Sequence, residues 1–195
     1  MNQNKTKAVS IPTTKQVETE RKRYRRQRAY NKALGGTVYV LTIVAAVAVL
    51  IATLVLPVLQ IEGTSMEPTL YNGDIVLLAK TTRFDHGDLC GFTWNNKLLV
   101  KRVIGIPGDW IEIDVDGNVY RNGDKLDEPY AQVRALGECD LEFPFQVPAE
   151  QYFVLGDMRA SSIDSRSTLI GCVTKDQIVG KVFFRVWPLK DVKFF

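Results

Sequence analysis

The chain changes character at the ten residues Ile61-Glu62-Gly63-Thr64-Ser65-Met66-Glu67-Pro68-Thr69-Leu70. A long apolar run ends just before this stretch, and the polar part of the chain begins with it. The flexible Gly63 precedes Ser65, and Pro68 restricts the backbone just beyond the serine. Such a turn can hold a hydroxyl away from the backbone, within reach of a substrate. A serine alone more often caps or closes a turn, so its chemistry depends on the rest of the chain.

The preceding apolar run predicts a transmembrane helix over residues 34–60. Leu34 to Leu59 is mostly Val, Leu, Ile and Ala, and no charged residue lies between Ala33 and Ile61. As a helix this run would be about 39 Å long, which exceeds the roughly 30 Å of a bilayer core. The alternative is a cleaved secretory signal, whose apolar region is usually about 7–15 residues behind a short basic start. The long basic leader and the longer apolar run favour an uncleaved anchor.

Charge is distributed unevenly along the 195 residues and predicts the orientation of the anchor. Residues 1–33 hold ten Lys/Arg and two Glu, whereas residues 62–195 hold fifteen Lys/Arg and twenty Asp/Glu. Basic residues beside a span stay on the cytoplasmic side. We therefore expect residues 1–33 to form a cytoplasmic tail, disordered over residues 1–20, and residues 61–195 to lie outside a cell membrane crossed once. A lipid bilayer explains the basic cluster at Arg21–Arg28 better than a nucleic acid does.

Cysteine and histidine content gives no reason to expect a metal or a cofactor. Cys90, Cys139 and Cys172 all follow the apolar run, and no two of them have the spacing of metal ligands. An odd number cannot pair completely, so one disulfide or none is compatible with the sequence. The only histidine, His86, lies in a polar turn, where a solvated ring is expected.

Alternating apolar and polar residues after Leu70 predict an antiparallel β-domain. Residues 110–150 contain a hairpin with an Asp-Gly turn, followed by a stretch rich in Gly, Pro and charge, and predict a small inserted β-subdomain. The fold class is thus mostly β, with one transmembrane helix at the N-terminus. The strands are predicted at Ile75–Lys80, Asp88–Trp94, Lys97–Ile106, Trp110–Val115, Asn118–Arg121, Gln151–Leu155 and Ile178–Trp187.

Lys101 lies in the third of these strands, between Leu99 and Val103 on its own face. A lysine among aliphatic neighbours loses hydration, and this lowers its pKa because the charged form suffers most. The strand alone, however, favours an edge lysine whose ammonium group reaches water.

Four ordered motifs together resemble bacterial type I signal peptidases, particularly those of Gram-positive bacteria. They are Gly63–Leu70, Gly73-Asp74-Ile75-Val76, Lys101-Arg102-Val103-Ile104-Gly105-Ile106-Pro107-Gly108-Asp109, and Gly156-Asp157-Met158-Arg159 through Asp164-Ser165-Arg166. The resemblance covers residues 34–195 and implies a membrane-bound serine endopeptidase. Such an enzyme removes signal peptides from secretory precursors through an acyl-enzyme. Its partners would be those precursors and the bilayer.

The resemblance also assigns roles to individual residues. Ser65 would be the nucleophile and Lys101 the general base, a known variant of the catalytic triad. Ser162 matches the serine that orients the lysine amine, and Asp164 and Arg166 match a supporting ion pair. Some family members have a hydroxyl donor two residues before the nucleophile, where this chain has Gly63. The second donor of the oxyanion hole would then be a water or a backbone group, beside the Ser65 N–H.

Two further functions are compatible with parts of the pattern. A Ser-Lys autoprotease would cut its own chain, but it fits poorly with the membrane anchor. A membrane-anchored β-domain could bind secreted partners without cleaving them. It would be consistent with Gly63, and with Met158 at a position where the family usually has Asn.

Overall fold

The computed structural model describes residues 13–195, without the side chains of residues 51–55. Two compact units can be distinguished, one ending at Ala52 and the other running from Thr53 to Phe195. The first contains most of a single long helix, and the second contains all the strands.

Helix α1 spans Thr14–Val55. Its part Thr14–Leu50 contains a segment long and apolar enough to cross a membrane, by length and composition. The prediction of disorder over residues 1–20 is wrong for Thr14–Glu20, which are helical. The Lys, Arg, Gln and Glu residues of this region are good helix formers, so the helix extends well beyond the apolar run. Residues 1–12 lie outside the described residues.

The helix ends earlier than the predicted anchor, which was placed at residues 34–60. Val55 is its last residue, and Val58–Gln60 already form strand β1. Pro57 explains the difference, because a proline disfavours the helical conformation of the residue before it.

The unit from Thr53 to Phe195 is built from antiparallel strands, and the predicted fold class is confirmed. The larger sheet has the order β1-β2-β11-β3-β4-β9-β10, with β12 paired to β11, and the smaller sheet has the order β7-β6-β5-β8. The other strands are β2 (Ile75–Ala79), β3 (Leu89–Trp94), β4 (Lys97–Gly105), β5 (Trp110–Ile113), β6 (Val119–Arg121), β7 (Asp124–Lys125), β8 (Phe145–Gln146), β9 (Gln151–Leu155), β10 (Val173–Thr174), β11 (Ile178–Trp187) and β12 (Lys193–Phe194).

Strand β4 is an interior strand of the larger sheet. It pairs with β3 on one side and β9 on the other, so the interpretation of Lys101 as an edge lysine is wrong. Alternation along a strand sends successive side chains to opposite faces. Accordingly, Val100, Val103 and Ile104 belong to three different clusters of buried apolar side chains. Lys101 and Arg102, which lie between these residues, are buried as well.

Candidate active site

The loop after β1 presents Ser65 at the surface while its neighbours anchor it. Met66 and Leu70 are buried in an apolar cluster, whereas Ser65 is partly exposed. Gly63 adopts a positive φ of 86°, which glycine reaches without the strain of a side chain. Its backbone N–H donates to Asn72 Oδ1 at 3.0 Å. Within residues 13–195, the Ser65 hydroxyl makes no hydrogen bond to another protein group.

Lys101 is almost completely buried, with 4 % of its surface exposed. Its Nζ donates a hydrogen bond to Ser162 Oγ at 2.9 Å. Burial lowers the pKa of Lys101 from 10.5 to about 8, the nearby Asp164 opposes this change, and Arg166 adds to it. The amine therefore loses its proton far more easily than an ordinary lysine.

Ser65 and Lys101 line the same small cleft, which has a volume of about 30 Å³. Its walls come from β1 and the serine loop on one side and from β4 on the other. Glu62 and Leu99 are among the remaining lining residues. The two residues named from the sequence as nucleophile and base thus line one cleft.

The loop after β9 closes the site from behind the lysine. The Met158 N–H donates to the backbone oxygen of Ser65 at 3.0 Å, and the Ser162 N–H donates to the Met158 oxygen at 3.1 Å. Gly156 lies where these segments meet. A Cβ atom at this position would lie 2.2 Å from Ser162 Oγ and 2.7 Å from the Ser65 oxygen. The close approach of the two serines therefore requires a glycine.

The predicted pair of Asp164 and Arg166 is present and completely buried. Arg166 Nε donates to Asp164 Oδ1 at 2.8 Å, and Nη2 donates to Oδ2 at 2.9 Å. Asp164 also accepts the Gly156 N–H, while Arg166 donates to the backbone oxygen of Ser162. The pair thus holds both ends of the turn that carries Ser162.

A second buried cluster joins three segments of the site, and sequence reasoning gave its members no role. Arg102 donates to Asp157 through Nε at 2.8 Å and through Nη2 at 2.6 Å. Its Nη2 also donates to Thr69 Oγ1 at 3.0 Å, and that hydroxyl in turn donates to Asp157. Thr69 belongs to the serine loop, Arg102 follows Lys101, and Asp157 belongs to the Ser162 loop. The signal for this cluster in the sequence was a pair of opposite charges, Arg102 and Asp157, in the motifs that carry Lys101 and Ser162.

Histidine and cysteine residues lie outside this arrangement. His86 is exposed, bonds Asp109 at 2.7 Å, and does not line the cleft. The three cysteines are free thiols. Burial raises the pKa of Cys90 and of Cys172 to about 12, so both stay protonated. Between residues 13 and 195, no group of three His, Cys, Asp or Glu side chains could hold a metal ion.

Comparison with known proteins identifies the family. A profile described as "Signal peptidase, peptidase S26" matches residues 34–187. The chain belongs to this family. Signal peptidase I S of Bacillus subtilis is 36 % identical over 165 residues, which cover 78 % of this chain and 89 % of the relative. Signal peptidase IB of Staphylococcus aureus is 39 % identical over 155 residues, covering 69 % and 79 %.

A crystal structure of a signal peptidase I from Enterococcus faecalis is also similar. It is 29 % identical, covers 51 % of this chain and 96 % of that chain, and has a TM-score of 0.44. The sequence matches make the chain a serine endopeptidase of the signal peptidase I type. They favour neither the self-cleaving protease nor the non-catalytic binding domain. With the long apolar helix, family membership also makes it a membrane-anchored peptidase.

Proposed function

We propose that Ser65 is the nucleophile and Lys101 the general base of an endopeptidase that removes N-terminal signal peptides from secretory precursors. One observation carries this assignment: the cleft that exposes Ser65 also receives Lys101, a buried lysine with a lowered pKa. A serine needs a base to become a nucleophile, and a lysine serves only when it is neutral. Both conditions are available in the cleft.

In the proposed reaction, the neutral Lys101 amine takes the Ser65 proton while Oγ attacks the carbonyl carbon of the scissile bond. The Ser65 backbone N–H stabilises the oxyanion that forms. The leaving amine of the mature protein takes the proton from Lys101, which leaves an acyl-enzyme. Water then attacks the ester, with Lys101 again as the base, and the Ser65 hydroxyl is restored.

Ser162 would keep the lysine amine in place between these steps. In the free enzyme, Lys101 donates to Ser162 and not to Ser65. Catalytic hydrogen bonds often become short only when the substrate is bound. We therefore assign Ser162 to orienting the amine, and Asp164 and Arg166 to holding the Ser162 turn.

The small cleft also supports the kind of peptide cut. A volume of about 30 Å³ is only about two to three times the roughly 10–15 Å³ that a single water molecule needs. Only a small side chain could enter without rearrangement. We infer that cleavage follows a small residue, as the family resemblance implies.

We further propose that the N-terminus is cytoplasmic and that the unit from Thr53 to Phe195 lies outside, on the bilayer surface. The ten Lys/Arg of residues 1–33 support this orientation. Only eight positions separate Pro57, just after the helix, from Ser65. Signal-peptide precursors held in the same membrane would meet the enzyme at a raised effective concentration.

Substitution of the two proposed catalytic residues tests the assignment. The full chain in detergent micelles is given a precursor with alanine at the last and third-last positions of its signal peptide. Ser65→Ala and Lys101→Ala should each lower kcat by at least about a thousandfold, because neither leaves a nucleophile with its base. Lys101→Arg should be equally inactive, since arginine does not lose its proton in proteins.

Matched controls come from exposed residues of the same segments. Ser161→Ala lies beside Ser162 and Lys97→Ala lies on β4, and both positions are exposed. Both variants should retain near-parental kcat. Near-normal turnover by a folded Lys101→Ala would show that another group is the base.

A further inference from the structure

A short segment of the insert, Glu128–Tyr130, reaches back to the candidate site. Glu128 is buried, with 2 % of its surface exposed, and it accepts two hydrogen bonds from Arg159. The distances are 3.0 Å from Nη1 to Oε2 and 2.6 Å from Nη2 to Oε1. Paired bonds of this geometry between a guanidinium and a carboxylate fix orientation as well as distance.

Arg159 passes this contact on to the loop that carries Ser162. Its Nε donates to the Gly156 oxygen at 3.0 Å, and its own backbone oxygen accepts from Arg166 Nη2 at 2.8 Å. Gly156 lies between Ser162 and the Ser65 backbone, where there is no room for a side chain. A displacement of Arg159 would therefore shift Gly156, and with it the contact between Ser162 and the Ser65 backbone.

Tyr130 makes the second contact, with the strand that carries Lys101. Its ring centre lies 3.9 Å from Cζ of Arg102, the residue after Lys101. Its hydroxyl donates to Glu128 Oε1 at 3.1 Å. Burial, and next the charge of Glu128, raise the pKa of Tyr130, so the hydroxyl keeps its proton and remains a donor. The ring restricts Arg102, which is already held by Asp157.

We propose that Glu128 and Tyr130 are positioning residues that keep the Lys101 strand and the Ser162 loop aligned, so that Lys101 Nζ stays bonded to Ser162 and shielded from water. The insert thus acts as a clamp, with one contact on Arg102 and the other on Arg159. This role rests on the proposed function of Lys101 as the base. It extends that function to a part of the chain to which the sequence assigned no role in catalysis.

A loosened clamp has a different signature from a general loss of stability. Lys101 is surrounded by apolar core and by the charges of Asp164, Arg166 and Asp157. If the Ser162 loop moves away, water reaches the amine and its pKa returns towards 10.5. The acidic limb of the kcat/KM profile then moves to higher pH. A mere loss of folded enzyme lowers activity at every pH and leaves the limb in place.

The experiment compares two tyrosines of the insert in the full chain. Tyr130→Leu removes the ring over Arg102, and Tyr130→Phe removes only the hydroxyl. Tyr120→Phe is the matched control, because Tyr120 also donates to a carboxylate, Asp114 Oδ2, at 3.3 Å. That pair lies in the hairpin of the smaller sheet and touches neither arginine. Glu128→Gln tests the other contact.

Tyr130→Leu and Glu128→Gln should raise the acidic limb by about 0.5–1 pH unit, with kcat at pH 7 falling about three- to tenfold and KM little changed. Tyr130→Phe should show a smaller shift in the same direction, and Tyr120→Phe none. Amide hydrogen exchange over residues 156–166 should be faster in Tyr130→Leu and parental in Tyr120→Phe. This second measurement does not depend on activity.

An unchanged acidic limb in folded Tyr130→Leu would overturn the clamp, even if activity fell. So would parental exchange over residues 156–166. If Glu128→Gln does not fold, the tyrosine variants decide the matter. An active Lys101→Ala would instead refute the assignment of Lys101 as base, and the exchange measurement would still show whether the segment holds the loop.

Discussion

Lys101 is buried, and burial disfavours the charged form of its amine. The surrounding core lowers its pKa to about 8, and Asp164 pulls in the other direction. With such a pKa, about one tenth of the Lys101 side chains are neutral at pH 7. For an ordinary lysine, the neutral fraction is below about one in a thousand. The gain in neutral amine is therefore a hundredfold or more, which is the scale that general base catalysis supplies.

The pH dependence of cleavage follows from this value. We expect kcat/KM to rise about tenfold per pH unit below pH 8 and to level off above it, because in the proposed mechanism only the neutral amine accepts the Ser65 proton. Initial rates with a soluble precursor peptide between pH 6 and 10 would measure the profile. A profile that is flat from pH 6 to 9 would contradict Lys101 as the base.

The same lowered pKa makes the unfolded chain bind more protons than the folded chain between about pH 8 and 10.5. The free energy of unfolding should therefore rise with pH over that interval. Below pH 8 the buried Lys101 is protonated, and the full cost of burying its charge lowers the free energy of unfolding. In line with this, inactive Lys101→Met should be no less stable than the parent at pH 7. Thermal unfolding would thus separate a chemical defect from a folding defect.

At the scale of the elements, the sequence predicted seven of the strands, but not the short strands β1, β7, β8, β10 and β12 or the way the strands assemble. Alternation predicted the bounds of β9 and β11 as the structure has them. It also placed Leu99, Lys101 and Val103 on one face. It could not show that β9 lies beside β4, because sheet order depends on pairing between distant segments. For this reason the edge-lysine interpretation failed.

The candidate site shows the same division. The motifs named five residues of the site, and in the structure hydrogen bonds connect the segments that carry them. These residues are Ser65, Lys101, Ser162, Asp164 and Arg166. Glu128 was not named, because a charged residue in a stretch rich in Gly and Pro is normally solvated. Its burial against Arg159 depends on the insert folding back, which no local pattern records.

Gly156 offers a test of how closely these elements must pack. Gly156→Ala would put a methyl group 2.2 Å from Ser162 Oγ and 2.7 Å from the Ser65 oxygen, so one serine has to move. We expect kcat to fall by at least about a hundredfold, since misplacement of about 1 Å has effects of that size. Gly36→Ala, in helix α1, has open space around the added methyl and is the control. Similar losses in both variants would contradict the packing argument.

At the scale of the whole molecule, the charge difference between the two ends of the chain predicts topology. In intact cells, protease added outside should digest the unit from Thr53 to Phe195 and spare an epitope placed before Thr14. Replacing the basic residues of Arg21–Arg28 by Gln should produce a fraction of chains with the opposite protection pattern, because basic residues beside a span favour the cytoplasmic side. Protection of the β-unit in unaltered chains would reverse the proposed orientation.

Thr69, Arg102 and Asp157 contact one another, yet they come from three stretches that are far apart in the chain. A chimaera that takes any one of these stretches from a relative inherits a partner selected in another context. A buried guanidinium without its carboxylate is strongly destabilising, so grafts within this family should be tolerated when the three stretches travel together. The part of the chain that can be exchanged between such enzymes is therefore discontinuous. Engineering of cleavage preference should replace the three stretches together.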